Sequence, residues 1–397
     1  MFEQVEAYAG DPILSLNEDF QKDPRPNKIN LSIGIYFDDA GRLPVMNAVR
    51  EAEVELTREI IGRPYLPMEG GADYRVAAQK LLFGAESEVV TSARIASVQT
   101  LGGSGGLKVG ADFLHAYYPD SKVYISNPTW DNHRALFEGA GFTVETYPYY
   151  DPETGGVDFD AMLTTLGGLA PNSIVVLHAC CHNPTGVDLS QEQWAQLIPL
   201  FRERKLIPYL DIAYQGFGDG IDADAFALRA LAEAGLVFFV SSSYSKSFSL
   251  YGERVGALSV VCASKADADR VLGQLKAAVR RNYSSPPTHG ARIVAKVLGT
   301  SALRDAWESE LATMRDRIKK MREALHAGLS KALPGRDVEY FLTQRGMFSY
   351  TGLSPEQVDE LREKHGVYLV RSGRMCVAGL NQGNVDAVAK AMAAVLG

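Results

Sequence analysis

No run of apolar residues in this sequence approaches the ~20 that a membrane-spanning helix needs. No block of arginine and lysine occurs either, and the formal net charge is −8. A polyanion finds no basic surface to bind, which argues against nucleic acid as a partner. Cysteine is scarce, with 4 in 397 residues. Cys180 and Cys181 are adjacent in the apolar run SIVVLHACCH, Cys262 and Cys376 stand alone, and no C-x-x-C pair is formed. That spacing fits neither a disulfide framework nor a zinc site. Buried free thiols are expected, with no metal, and free thiols imply a reducing compartment. The opening MFEQVEAYAGDPI has neither the basic segment nor the apolar core of a secretory leader. The expected location is the cytoplasm, with no membrane association.

What is present is ordinary for a globular protein: 46% hydrophobic and 22% charged residues. The length exceeds one simple core, so two domains are expected. No internal repeat or low-complexity linker appears. Between about residues 94 and 262, short apolar runs alternate with stretches of helical period such as LSQEQWAQLIPLFRER. The runs are RIASVQTL, KVYIS, FTVETYP, SIVVLHA, LIPYLD, LVFFVS and VGALSVV. This alternation predicts an α/β unit with a mostly parallel sheet covered on both faces, the last run being antiparallel. After residue 300 comes a long helical stretch, SALRDAWESELATMRDRIKKMREALHAGLSKAL, then short strands around 337–350 and 367–378. These predict a smaller α+β domain; the first 40 residues are expected to join it or a neighbouring subunit.

Ligands of open α/β sheets bind outside the carboxyl ends of the strands, so polar residues there matter most. In LGGSGGLKVGADFLHAYY a glycine cluster opens a helix, and Gly103, Ser104 and Gly105 are placed to bind phosphate. The same letters fit the G-x-S-x-G nucleophile elbow on Ser104, or a helix entry with no ligand. In HACCHNPTG, Asn183 precedes Pro184 and either points into the crevice or makes a simple turn. In LIPYLDIAYQGF, Asp211 ends a buried strand, where a carboxylate needs a cationic or N–H partner, and Tyr214 follows; the plainer alternative is an N-cap. Lys246 lies among Ser243, Ser245 and Ser247, with Arg254 eight residues on, and an isolated lysine is usually a surface charge. In YLVRSGRMCVAGLN, Arg374 offers a fork for a carboxylate or is a surface arginine.

Taken together, in this order and spacing, NPTG, D-x-x-Y, S-x-S-K and R-x-C-V-A-G-L-N resemble the class I, fold-type I aminotransferases. Within them the chain is most similar to the bacterial aromatic (tyrosine) enzymes of the aspartate/aromatic family. The resemblance runs from DPILSLNEDF to the final helix. It implies a large cofactor domain over 44–312, with a seven-stranded sheet, and a small domain of 1–43 and 313–397 with an N-terminal arm. It implies pyridoxal 5'-phosphate, with Lys246 as the Schiff-base lysine and Asp211 facing the pyridine nitrogen. Asn183 and Tyr214 would bond the ring hydroxyl oxygen, and Trp130 would stack on the ring. Gly103, Ser104, Gly105, Ser243 and Arg254 would hold the phosphate. His133 and His178 resemble histidines behind the aspartate, with His178 expected to have its hydrogen bonds satisfied within the fold. Arg374 would clamp the substrate α-carboxylate, assisted by Gly34 and Asn183, and Phe348 resembles an aromatic near the substrate mouth. Tyr65 and Arg280 would act in the partner's site, so a homodimer with shared sites is expected.

The implied activity is a ping-pong exchange of amino groups between aromatic or dicarboxylic amino acids and 2-oxoglutarate, with a dedicated aspartate aminotransferase as the alternative. Phe37, Leu43, Ser104 and Ser285 depart from the pattern of the dedicated aspartate enzymes. A serine hydrolase on Ser104 would need a late histidine, for which His289 is the obvious candidate, and it leaves Lys246, Asp211 and Arg374 without a role. A non-catalytic sensor is disfavoured because every catalytic position is filled and no DNA-binding module is attached.

Overall fold

The computed structural model describes residues 1–8, 10–59 and 62–397. The chain divides into two compact units, Met1–Leu43 with Arg317–Gly397, and Pro44–Asp316. The boundary falls within one helix, Ser301–Ala332, at 316/317 rather than at 312/313. No described helix is long and apolar enough to cross a membrane.

In the smaller unit, β1 (Ile29–Asn30) pairs in parallel with a strand of the C-terminal segment described below. The larger unit holds β2 (Ile95–Leu101), β3 (Val123–Asn127), β4 (Val144–Pro148), β5 (Ile174–His178), β6 (Ile207–Ile212), β7 (Phe238–Ser243) and β8 (Val255–Val261). All seven apolar runs of the sequence are thus strands. They form one sheet in the order β2-β8-β7-β6-β5-β3-β4, with β8 antiparallel to both neighbours. Strands β5, β7 and β8 are buried along their whole length. Helices cover both faces, so these strands read as continuous apolar runs rather than alternating ones. The core between sheet and helices includes Val98, Leu107, Leu114, Ile125, Phe137, Tyr209 and Leu258. The Gln191–Arg204 helix begins at a capping box, where Ser190 and Gln193 satisfy each other's backbone N–H groups.

The smaller unit also contains β9 (Phe348–Tyr350), β10 (Val367–Tyr368), which is the partner of β1, and β11 (Arg374–Cys376), antiparallel to β9. The segment expected to be strand from 337 instead makes a helical turn, Tyr340–Thr343, whose Phe341 is buried. The apolar letters there serve one anchoring side chain, not a sheet face.

Register places the functional residues. His178 pairs with Asp211 across β5 and β6, and Asp211 with Ser241 across β6 and β7. The carboxyl ends of three parallel strands therefore lie side by side. Beyond β7, Trp307 of the long helix fixes the chain, its indole donating to the Ser247 carbonyl at 2.6 Å and stacking on Phe248.

Candidate active site

Asp211 stands one residue before the end of β6, almost wholly buried. Burial alone would raise its pKa, but the hydrogen bond and charge of His133, with smaller contributions from His178 and Lys246, hold it below the ordinary 3.8. His133 Nε2 lies 3.2 Å from Asp211 Oδ2, and Thr129 Oγ1 lies 2.8 Å from His133 Nδ1. The ring is thereby oriented from both sides. The expectation for His178 is corrected: both of its ring nitrogens are buried with no hydrogen-bond partner. It sits between His133 and His182 in a row of rings from Trp130 to Tyr149. Burial, followed by the neighbouring imidazoles, pushes its pKa well down, so it packs as a neutral ring. The members of this row the sequence reading missed are Tyr149 and His182. His182 is held by Ser126 at 2.9 Å and Thr185 at 2.8 Å. The H-x-x-x-H spacing of His178 and His182 was the available signal.

Lys246 follows β7 half-buried, with Nζ 4.9 Å from the centroid of the buried Tyr214 ring. Its charge acts on Asp211. Asn183 is buried just beyond β5, and its peptide bond to Pro184 is cis. Trp130 is half-buried against His133. These residues all belong to the larger unit.

The start of the Gly102–Tyr117 helix forms a second group. The amide of Gly102 is used by the Arg254 carbonyl, while first-turn amides such as those of Gly103 and Ser104 have no partner within a helix. Arg254 has a left-handed backbone, and its guanidinium closes over Gly102, where an added Cβ would lie 2.5 Å from it. A Cβ at Gly103 would meet the Ser243 side chain at 3.3 Å. Ser243 is linked to Ser245, and Ser245 to Arg254. The structure thus gathers Gly103, Ser243 and Arg254, with Ser104 and Gly105 half-buried in the same turn. Ser245, one of the serines the sequence sets around Lys246, joins them.

Pyridoxal phosphate fits these residues. Side-chain-free positions border a guanidinium and unpaired helix amides, which suits a phosphate. A buried, ionised carboxylate at a strand end suits a protonated ring nitrogen, and the charge of the lysine amine acts on that carboxylate.

In the smaller unit, Arg374 is buried, donates to the Ser32 carbonyl at 2.6 Å and faces the Phe348 ring at 4.6 Å. A Cβ at Gly34 would strike that ring at 2.9 Å. Arg374, Gly34 and Phe348 therefore form one cluster. Two residues join neither group. Tyr65 is 95% exposed, and Arg280 is exposed with its guanidinium on Ser284. His289, the candidate for a hydrolase reading, instead lies 3.5 Å from Glu53.

A family model described as aminotransferase class I and II matches residues 26–392. The chain is 59% identical over 397 residues to the aromatic-amino-acid aminotransferase of Escherichia coli K12, covering 100% of both chains. It is 45% identical to that organism's aspartate aminotransferase over 396 residues, again covering 100% of both. A solved aromatic-amino-acid aminotransferase from Burkholderia pseudomallei, covalently bound to pyridoxal phosphate, superposes with a TM-score of 0.98 at 55% identity, over 100% of both chains. With the family match spanning nearly its whole length, this chain belongs to the class I and II aminotransferases.

Proposed function

We propose that this pyridoxal phosphate-dependent aminotransferase accepts both aromatic and dicarboxylic amino acids as donors, with 2-oxoglutarate as acceptor, in a ping-pong cycle. The observation that carries the reading is the contrast between two enzymes of one organism: the chain is nearer the aromatic one than the aspartate one. Phe37, half-buried, and Leu43, 44% exposed, add apolar surface in the smaller unit, and Ser104 and Ser285 are small. Burying an aromatic side chain is worth about 1.5–3 kcal/mol, which is about 10- to 100-fold in preference.

The bound cofactor supplies a carbon that takes up the amino group and a ring that draws electrons from the substrate Cα. Asp211, kept anionic by His133, holds a proton on the ring nitrogen. Lys246 takes and returns the proton at the substrate Cα. Asn183 and Tyr214 bond the ring hydroxyl oxygen, and Trp130 limits tilting of the ring. Gly103, Ser104, Gly105, Ser243 and Arg254 hold the phosphate. Arg374, a planar fork with Phe348 against its face, pairs with the α-carboxylate, assisted by the Gly34 backbone and Asn183.

A homodimer with shared sites accompanies this reading. Phe2, Val5, Tyr8, Val45 and Tyr65 leave large apolar side chains exposed in the single chain, and a second copy of the chain would cover them. Tyr65 and Arg280 would reach the partner's phosphate and distal carboxylate. A reducing, cytoplasmic setting suits the four buried free cysteines.

Single-turnover reaction with phenylalanine, tyrosine, aspartate and leucine tests the specificity. Phenylalanine and tyrosine should have kcat/KM within about tenfold of aspartate, on the burial scale above. A thousandfold preference for aspartate would establish the dedicated aspartate enzyme instead.

A further inference from the structure

The helix start that holds the phosphate is gripped from behind. Thr100, on β2, donates from Oγ1 to the Gly102 carbonyl at 2.9 Å. Ser241, on β7, donates from Oγ to the Gly103 carbonyl at 2.8 Å. Both side chains are fully buried. A carbonyl and the N–H of the next residue belong to one planar peptide group. The Gly102 carbonyl thus shares its peptide with the Gly103 amide, and the Gly103 carbonyl with the Ser104 amide. These are two of the first-turn amides without a partner inside the helix, that of Gly102 being taken up by the Arg254 carbonyl. A hydrogen bond received at the oxygen polarises the group and strengthens the donor at its nitrogen.

We infer that Thr100 and Ser241 are positioning residues for the cofactor phosphate, donating to the carbonyl side of the two peptide groups whose amides face it. The inference rests on the phosphate role proposed for Gly103, Ser104 and Arg254. The surrounding packing fixes the same geometry. A Cβ at Gly106 would stand 2.5 Å from Ser241 Oγ, so the helix lies close enough for Ser241 to reach it. One turn further on, the buried Tyr209 hydroxyl donates to the Gly106 carbonyl at 2.9 Å, and a Cβ at Gly110 would stand 2.1 Å from that oxygen. Three strands of one sheet, β2, β7 and β6, thereby set the helix start against the sheet that carries Asp211. The gripped carbonyls also accept helix N–H groups four residues on, so removing a hydroxyl strips no carbonyl of its only donor.

The test compares apoenzyme affinity for pyridoxal phosphate with affinity for pyridoxal, which has no phosphate, in Thr100→Val, Ser241→Ala and the double variant. Quenching of tryptophan fluorescence reports binding, and the slowing of reconstitution by inorganic phosphate gives a second reading. Each single variant should lose about three- to tenfold in affinity for pyridoxal phosphate, the scale of one hydrogen bond. Affinity for pyridoxal should hold, and competition by inorganic phosphate should weaken in parallel. Equal losses for both ligands would mean general loosening of the fold and would overturn the inference, as would no loss for either. Arg254→Ala is the control for the underlying assignment. If it too leaves pyridoxal phosphate affinity intact, the phosphate site is misplaced. If it weakens binding while the hydroxyl variants do not, only the role of Thr100 and Ser241 fails.

Discussion

At Lys246 and Asp211, chemistry depends on which protonation state the surroundings favour. The Lys246 amine lies over the Tyr214 ring and near the Asp211 charge, and under the proposed mechanism Lys246→Ala removes the group that moves the Cα proton. The variant should still bind cofactor through the phosphate ligands, lose the borohydride-reducible bond, and lose nearly all turnover. Reduction of the wild type followed by peptide mapping checks this, and a tag on another lysine would refute it. Asp211 supplies a pH prediction. Its folded pKa is lowered from 3.8, against the upward pull of burial, mainly by His133. Stability from a depressed carboxylate is complete above the unfolded value and is lost as pH falls through the folded one. His133→Ala removes the largest lowering influence, so apoenzyme acid unfolding should begin at a higher pH than in the wild type. Circular dichroism against pH measures it, and coincident curves would exclude the pairing as the cause.

Among elements, the loop after β7 is the one whose position matters most, since it carries Lys246 between Ser243 and Arg254. Its far side is secured by Trp307, which is fully buried, stacked on Phe248 at 4.6 Å and bonded to the Ser247 carbonyl. Trp307→Ala should cost about 3–5 kcal/mol by leaving a cavity. Trp307→Phe keeps most of the apolar contact but strands that carbonyl, at about 1–3 kcal/mol. Urea unfolding of both variants gives the comparison, and a Trp307→Phe loss as large as that of Trp307→Ala would show that the hydrogen bond, not packing, dominates. The strands of this region were legible because fully buried parallel strands leave continuous apolar runs. The turn at Tyr340–Thr343 was not, because a four-residue helix has too few positions to display a period.

For the whole molecule, the open question is where Tyr65 and Arg280 act. Neither meets the Lys246 group within one chain: Tyr65 is 95% exposed and Arg280 contacts Ser284. Sharing between subunits predicts complementation. Inactive Lys246→Ala chains mixed with inactive chains carrying Tyr65→Phe and Arg280→Ala should regain dicarboxylate turnover in a fraction of hybrid dimers. Hybrids verified by mass spectrometry that stay inactive would count against it.

The sequence by itself determined the seven strands, the family and the roster of polar residues at the strand ends. Each of those rests on local letters: an apolar run long enough to cross a sheet, or a motif of a few residues. Tertiary structure alone decided which distant residues meet. Ser241 reaches a carbonyl 138 residues away because β7 passes beneath the helix start, and Arg254 closes over Gly102 because β2 and β8 pair in register. His178 was expected to have its hydrogen bonds satisfied, yet it is packed among rings with no partner for either nitrogen. Sequence spacing records a residue's kind and its element. It does not record what a folded neighbour offers, because hydrogen bonding and burial are properties of the space between elements.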